Sequence, residues 1–175
     1  RQMCIRDSNY TSQDGKTYTD ISLPLALGGL TKGVTNLELT NGFATIANQG
    51  LYHPAFFYTK IVDHDGNVLL DNTMNTDTRQ VMKESTAWLL TSAMEDVILK
   101  GTGSRLKFKK INMPQAGKTG TSTGNRDLWF VGYTPYLTAG IWGGYDSGQK
   151  QTSLTYQKDL WRDTMEKLLS LIHIS

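Results

Sequence analysis

Apolar residues recur at helical spacing in three stretches of the chain and cluster in strand-like runs between them. Leu39, Phe43, Ile46 and Ala47 fall at i, i+4, i+7 and i+8, one face of an amphipathic helix. Thr35 and Glu38 precede that face at the spacing of a capping box, in which hydroxyl and carboxylate satisfy the first free amides. Gly50 supplies a left-handed stop. Gly42, inside the helix, costs about 1 kcal/mol relative to alanine, which close packing against a neighbouring element would offset. A second helix is predicted over 84–100, with Leu90, Met94, Val97 and Ile98 on one face and Gly101 at its end. A third, over 157–169, puts Trp161, Met165, Leu168 and Leu169 on one side. Arg162 with Glu166, and Asp163 with Lys167, stand four apart on its expected wet side.

The remaining pattern reads as strands and loops. Residues 56–63 and 67–71 flank His64-Asp65-Gly66-Asn67, and Asp-Gly is a strong hairpin signal because both central residues tolerate positive φ. Three strands are predicted over 114–122, 127–133 and 137–145, and their short links imply an antiparallel meander. Residues 128–145 carry no charge and have the length of a short membrane span. Their glycines, Pro135 and strand-forming aromatics favour two buried strands joined by a Thr134-Pro135 turn. Residues 21–33 are apolar but broken by Pro24 and Gly28-Gly29, so a packed loop with at most a short helical turn is expected there. Residues 102–110 form a basic, glycine-flanked connector. The order is helix, hairpin, helix, three strands, helix.

Composition narrows the function classes. At 175 residues the chain holds one domain with a real core. With 38% hydrophobic and 19% charged residues it is neither disordered nor membrane-embedded. A net charge of +2 without a Lys/Arg block argues against a dedicated nucleic-acid binder. Cys4 is the single cysteine, which excludes an internal disulfide and a cysteine-based zinc site. His53, His64 and His173 lack metal-motif spacing, and no cofactor is called for.

The stretch most informative about chemistry is Gln115-Ala116-Gly117-Lys118-Thr119-Gly120-Thr121. Gly117-Lys118-Thr119 matches the end of a phosphate-binding loop, but Asn112 stands where that pattern needs its first glycine. The preceding segment is half basic, and Ser122-Thr123-Gly124-Asn125 reads as a turn rather than a helix. The competing reading is the Lys-Thr-Gly strand of penicillin-recognising serine enzymes. On a strand edge, Gly120 leaves room for a substrate backbone. Lys118 sets a cation beside a substrate carboxylate to which Thr119 and Thr121 can donate. The Thr121 backbone amide can point at a developing oxyanion.

From Leu23 to about Leu168 the chain resembles the transpeptidase domain of class A penicillin-binding proteins, the bifunctional peptidoglycan synthases. Four blocks carry the resemblance: 23–50 (LPLALGGLTKGVTNLELTNGFATIANQG), Gly101-Thr102-Gly103, 116–121 (AGKTGT) and 126–146 (RDLWFVGYTPYLTAGIWGGYD). The resemblance implies an α/β fold of the penicillin-binding-protein/β-lactamase type, an antiparallel sheet of about five strands with helices on both faces, N-terminally truncated here. It implies a serine that attacks the D-Ala-D-Ala bond of a peptidoglycan stem peptide, releases D-alanine and passes the acyl group to an amine. Lys118, Thr119, Gly120 and Thr121 would bind the substrate, with the Thr121 amide as half of the oxyanion hole. β-Lactams would bind in the same place. The parent protein would act on the extracytoplasmic face of the bacterial membrane, attached through an anchor outside this chain.

The family's Ser-x-x-Lys nucleophile motif and Ser-x-Asn motif belong well before the Lys-Thr-Gly strand. Ser-x-Asn is absent; of the two Ser-x-x-Lys matches, Ser104–Lys107 lies too close before Lys118 to admit the intervening segment, Ser147–Lys150 lies after it, and neither opens a helical pattern. The chain is therefore expected to hold the C-terminal part of the domain at 9–168, and not to be acylated alone. Residues 2–8 and 169–175 resemble translated sequencing-adapter sequence, so 1–8 and 169–175 are expected to be non-native ends. Two alternatives stay open: a non-catalytic carboxylate-binding module, and a serine β-lactamase or D,D-carboxypeptidase of the same superfamily.

Overall fold

Strand pairing over 116–144 organises the larger part of the protein. A computed structural model describes residues 10–21, 23–31, 33–73 and 77–172. It divides the chain into two units, 1–35 and 36–175. Of the ends expected to be non-native, 1–8 and 173–175, with Cys4 and His173, lie outside the described residues, while 169–172 are described.

In the first unit, β1 (Tyr10–Thr11) pairs antiparallel with β2 (Thr17–Tyr18) around a turn in which Gly15 takes φ 77°. A short 3-10 turn over Leu23–Leu27 follows, closed by the amide of Gly29 donating to the carbonyl of Pro24 at 2.8 Å. The predicted helical turn is there, but its packing is not: Leu23 and Leu27 are 91% and 93% exposed. The turn directs their side chains outward, so apolar composition alone misjudged them.

The second unit begins with α1 (Asn36–Ala47), which starts directly after Thr35. Two-residue strands β3 (Leu51–Tyr52) and β6 (Arg79–Gln80) pair across a long insertion. The insertion carries the hairpin of β4 (Lys60–Val62) and β5 (Val68–Asp71). That hairpin is shorter than expected, Phe56 and Phe57 staying outside it and exposed. Its turn is not a two-residue Asp-Gly turn. Of Asp65 and Gly66, only Gly66 takes positive φ, and the Asp63 carboxylate accepts from the amides of Asp65 and Asn67 at 2.9 and 2.8 Å. Those bonds hold Asp63's carboxyl below its ordinary range, the Asn67 side chain contributing most.

Helix α2 (Glu84–Leu99) leads into β7 (Ala116–Thr121), β8 (Asp127–Tyr133) and β9 (Thr138–Gly144), and α3 (Tyr156–Leu171) closes the chain. The strands form the predicted meander in the order β7-β8-β9, with Thr119 opposite Phe130 and Phe130 opposite Ile141. The uncharged run 128–145 is thus a hairpin. Among the described residues no helix is long and apolar enough to cross a membrane.

Alternation along the strands gives the sheet two apolar faces. On one, Ala116 and Tyr133 cluster with Met94 of α2, Phe43 and Ile46 of α1 lying against them. On the other, Phe130 meets Trp161 of α3 edge to face at 4.9 Å in a core with Ile98, Leu106, Met165 and Leu169. Helices therefore cover both faces, as expected, over a sheet of three strands among the described residues. Helix α1 approaches at Gly140, where a β-carbon would collide with Thr40, and Asn36 donates to the Gly140 carbonyl at 3.1 Å. Gly42 serves no such contact: a β-carbon there would meet open space.

Some predicted helix faces shift. Ala47 is exposed in α1, and in α2 the buried residues are Ala87, Met94 and Ile98 while Leu90 is 40% exposed. In α3, Leu168 is exposed, whereas Arg162 and Glu166, expected on the wet side, are each only 7% exposed. Arg162 donates to the Arg105 carbonyl at 3.0 Å and to Asp159. Glu166 accepts from the amides of Lys109 and Lys110. Asp163 pairs with Arg162 rather than Lys167. Arg162 and Glu166 thus both bind backbone of the 102–110 connector, Arg162 also pairing with Asp159 and Asp163.

Candidate functional site

Residues 116–121, the predicted motif, form a strand at an edge of the three-stranded sheet, and a turn rather than a helix follows it. That excludes the phosphate-loop reading, which needs a helix N-terminus there. The amide of Ser122 donates to the Asp127 carbonyl at 3.0 Å, so Ser122 faces its partner strand. In an antiparallel ladder hydrogen-bonded and non-hydrogen-bonded pairs alternate. The amides and carbonyls of Thr121, Thr119 and Gly117 consequently point away from β8; the edge is exposed at Thr121, half-buried at Thr119 and buried at Gly117.

The pleat divides the side chains. Lys118 and Gly120 lie on the face covered by α1 and α2; Thr119 and Thr121 lie on the α3 face. Lys118 is exposed, and its Nζ donates to the outward carbonyl of Thr119 at 2.9 Å. The ammonium is thus at the open edge. Thr119 Oγ1 lies 3.2 Å from Thr102 Oγ1, and Thr121 is exposed. Gly120 has a reason beyond substrate access, since a β-carbon would stand 3.2 Å from the Trp129 β-carbon on β8.

Both ends of this edge are fixed. Beyond it, Ser122 Oγ donates to Asp127, and Gln151 donates to the carbonyls of Asn125 and Arg126. Before it, Gln115 accepts from the Phe108 amide and donates to the Leu106 carbonyl at 2.9 Å. Sequence reasoning missed Thr102, Gln115, Arg162 and Glu166. Thr102 lay in the Gly101-Thr102-Gly103 block and Gln115 at the head of the Gln115–Thr121 stretch, and neither was given a role.

The site is an open wall. Two surface cavities, of about 690 and 380 Å³, lie beside Arg105 and Arg162 and beside Pro114 and Leu169, and Lys118 to Thr121 line neither. Ser104 sits in a three-residue 3-10 turn and Ser147 in a loop, so neither Ser-x-x-Lys match opens an α-helix.

The strand edge, the amide alternation and the flanking helices can be compared with known proteins. A family model described as the penicillin binding protein transpeptidase domain matches residues 6–166. The chain belongs to this family. As a transpeptidase-domain chain it is 32% identical over 173 residues to penicillin-binding protein 1F of Bacillus subtilis, covering 95% of this chain and 24% of that protein. It is 38% identical over 152 residues to penicillin-binding protein 4 of the same organism, covering 85% and 24%. It spans about a quarter of the length of these relatives. Among solved structures, PonA1 from Mycobacterium tuberculosis in complex with penicillin V superposes with a TM-score of 0.74 at 28% identity, covering 91% of this chain and 44% of that one. The fold is that of penicillin-binding-protein transpeptidases, an α/β domain of which this chain forms part.

Proposed function

We propose that this transpeptidase-domain chain supplies the carboxylate-binding wall of a class A serine D,D-transpeptidase, with residues 9–168 as the C-terminal part of that domain. The observation that carries the reading is an exposed Lys118 on a free β-edge whose outward amides include that of Thr121. A D-Ala-D-Ala stem peptide laid along this edge brings its terminal carboxylate to Lys118 and to the hydroxyls of Thr119 and Thr121. The scissile carbonyl then meets the Thr121 amide, which stabilises the oxyanion as a serine attacks. The carbon–nitrogen bond to D-alanine breaks, its nitrogen takes a proton, and the acyl group passes from serine to an acceptor amine.

The serine and its base come from parts of the protein outside these 175 residues, because no Ser-x-x-Lys here opens an α-helix. β-Lactams, which carry a carboxylate beside a reactive amide, fit the same edge, and one relative of this fold was solved with penicillin V. Such a protein works on peptidoglycan outside the cytoplasmic membrane.

Covalent labelling with a fluorescent penicillin tests this. The longer protein is labelled, and the 175-residue chain alone is not. Lys118→Ala slows labelling of the longer protein by about ten- to a hundred-fold, the worth of one charge-assisted hydrogen bond. Labelling of the isolated chain, or an unchanged rate for Lys118→Ala, contradicts the proposal.

A further inference from the structure

One hydroxyl from outside the Lys-Thr-Gly strand stands directly behind it. Thr102 Oγ1 lies 3.2 Å from Thr119 Oγ1, the two residues seventeen positions apart in the chain. Thr102 sits in the Gly101-Thr102-Gly103 turn that ends α2, and the turn is held from several directions. A β-carbon at Gly101 would stand 2.9 Å from the Val97 carbonyl oxygen, and one at Gly103 would stand 3.1 Å from it. Both glycines thus let the turn fold back on its own helix. The Gly103 amide donates to that carbonyl at 2.9 Å. From α3, Lys158 Nζ donates to the Thr102 carbonyl at 3.0 Å, 56 residues away in sequence. Thr102 itself is exposed, so none of this bonding serves to bury it. What the bonding does is hold one hydroxyl against another.

We propose that Thr102 is a positioning residue: its hydroxyl donates to Thr119 and thereby turns the single proton of Thr119 toward the substrate carboxylate. This rests on the reading of Lys118 to Thr121 as the carboxylate wall. A threonine hydroxyl has one proton and two acceptor sites. Left alone, Thr119 Oγ1 rotates and can spend its proton on a carbonyl or on water. With a donor fixed behind it, the oxygen accepts from Thr102 and its own proton is free for the anion. The two bonds in series also strengthen each other, because polarising the first hydroxyl makes the second a better donor. Lys118 acts at the same residue through the edge, its Nζ on the Thr119 carbonyl, so cation and hydroxyl converge from opposite faces of one strand.

The test compares acylation of the longer protein by a penicillin bearing its free carboxylate and by the methyl ester of the same penicillin. Thr102→Val is nearly isosteric at an exposed site and removes only the hydroxyl. It lowers the rate for the acid about five-fold, the worth of one neutral hydrogen bond, and leaves the ester rate at the wild-type value. Thr102→Ser restores the acid rate. Lys118→Ala serves as the reference for loss of carboxylate recognition and lowers the acid-to-ester ratio further. If Lys118→Ala lowers that ratio and Thr102→Val does not, the positioning role is wrong while the carboxylate wall stands. If Thr102→Val slows acid and ester equally, Thr102 is merely structural and the proposal fails. If Lys118→Ala also leaves the ratio unchanged, the wall itself is misassigned and the role of Thr102 falls with it.

Discussion

Asp159 accepts both oxygens' worth of bonding from Arg105 Nε, at 2.7 and 2.9 Å, and a further bond from Arg162 Nη1 at 3.1 Å. The hydrogen bond from Arg105 is the largest cause holding its carboxyl below the ordinary value of 3.8. A carboxyl whose pKa is lower in the folded state stabilises the fold fully above its unfolded pKa. That contribution is lost as pH falls through the depressed folded value. Asp159→Asn therefore lowers the urea midpoint of the protein at pH 7, and the gap to wild type closes as the pH drops below about 4. A gap that stays constant down the acid range contradicts the assignment. At this scale the strand-edge placement of Lys118 to Thr121 was legible, because a cation, two alcohols and glycines in a short run fit a β-edge better than a helix N-terminus. Arg162 and Glu166 were not, because charges four apart look the same whether they face water or turn onto neighbouring amides.

Elements whose apolar period is sustained were legible: α2 and α3 lie close to their expected bounds, and the β7-β8-β9 meander follows from the strand runs and short links. The β3–β6 pair was not, since two residues per strand leave no period to read. The face of α2 was misjudged because Ala87, Trp88, Leu89 and Leu90 wrap apolar surface around more than one side, and packing selects only part of it. The connector 105–110 shows how elements cooperate at the site. Leu106 is fully buried and Phe108 stacks on Trp161 with ring centroids 5.9 Å apart, while Glu166 and Arg162 hold the backbone between. Glu166→Ala removes the carboxylate that accepts from the amides of Lys109 and Lys110, a hydrogen bond to a charged group being worth about 1.5–3 kcal/mol. Hydrogen exchange at those two amides then accelerates well before exchange in β8. Unchanged protection at 109 and 110 contradicts the clamp.

For the molecule as a whole, the order of its sequence blocks made the family legible before any coordinate did, since a fixed succession of motifs is far more specific than any one of them. What could not be read was which apolar surfaces this chain covers by itself. Trp88, Leu89, Phe57 and Leu69 are 68%, 63%, 87% and 62% exposed, in a chain spanning about a quarter of its relatives' length. Burial depends on every element present, whereas periodicity reports only on one element at a time. The proposed site has the same property: on that reading the edge of β7 is one wall, and the chemistry needs a serine facing it. A crystal structure of the longer protein acylated by a penicillin tests the central claim most directly. The account predicts the drug's carboxylate within about 3 Å of the Thr119 or Thr121 hydroxyl with Lys118 Nζ beside it, and the acyl carbonyl oxygen accepting from the Thr121 amide at hydrogen-bond distance. A carboxylate bound away from β7, with Lys118 still turned onto the Thr119 carbonyl, would contradict it.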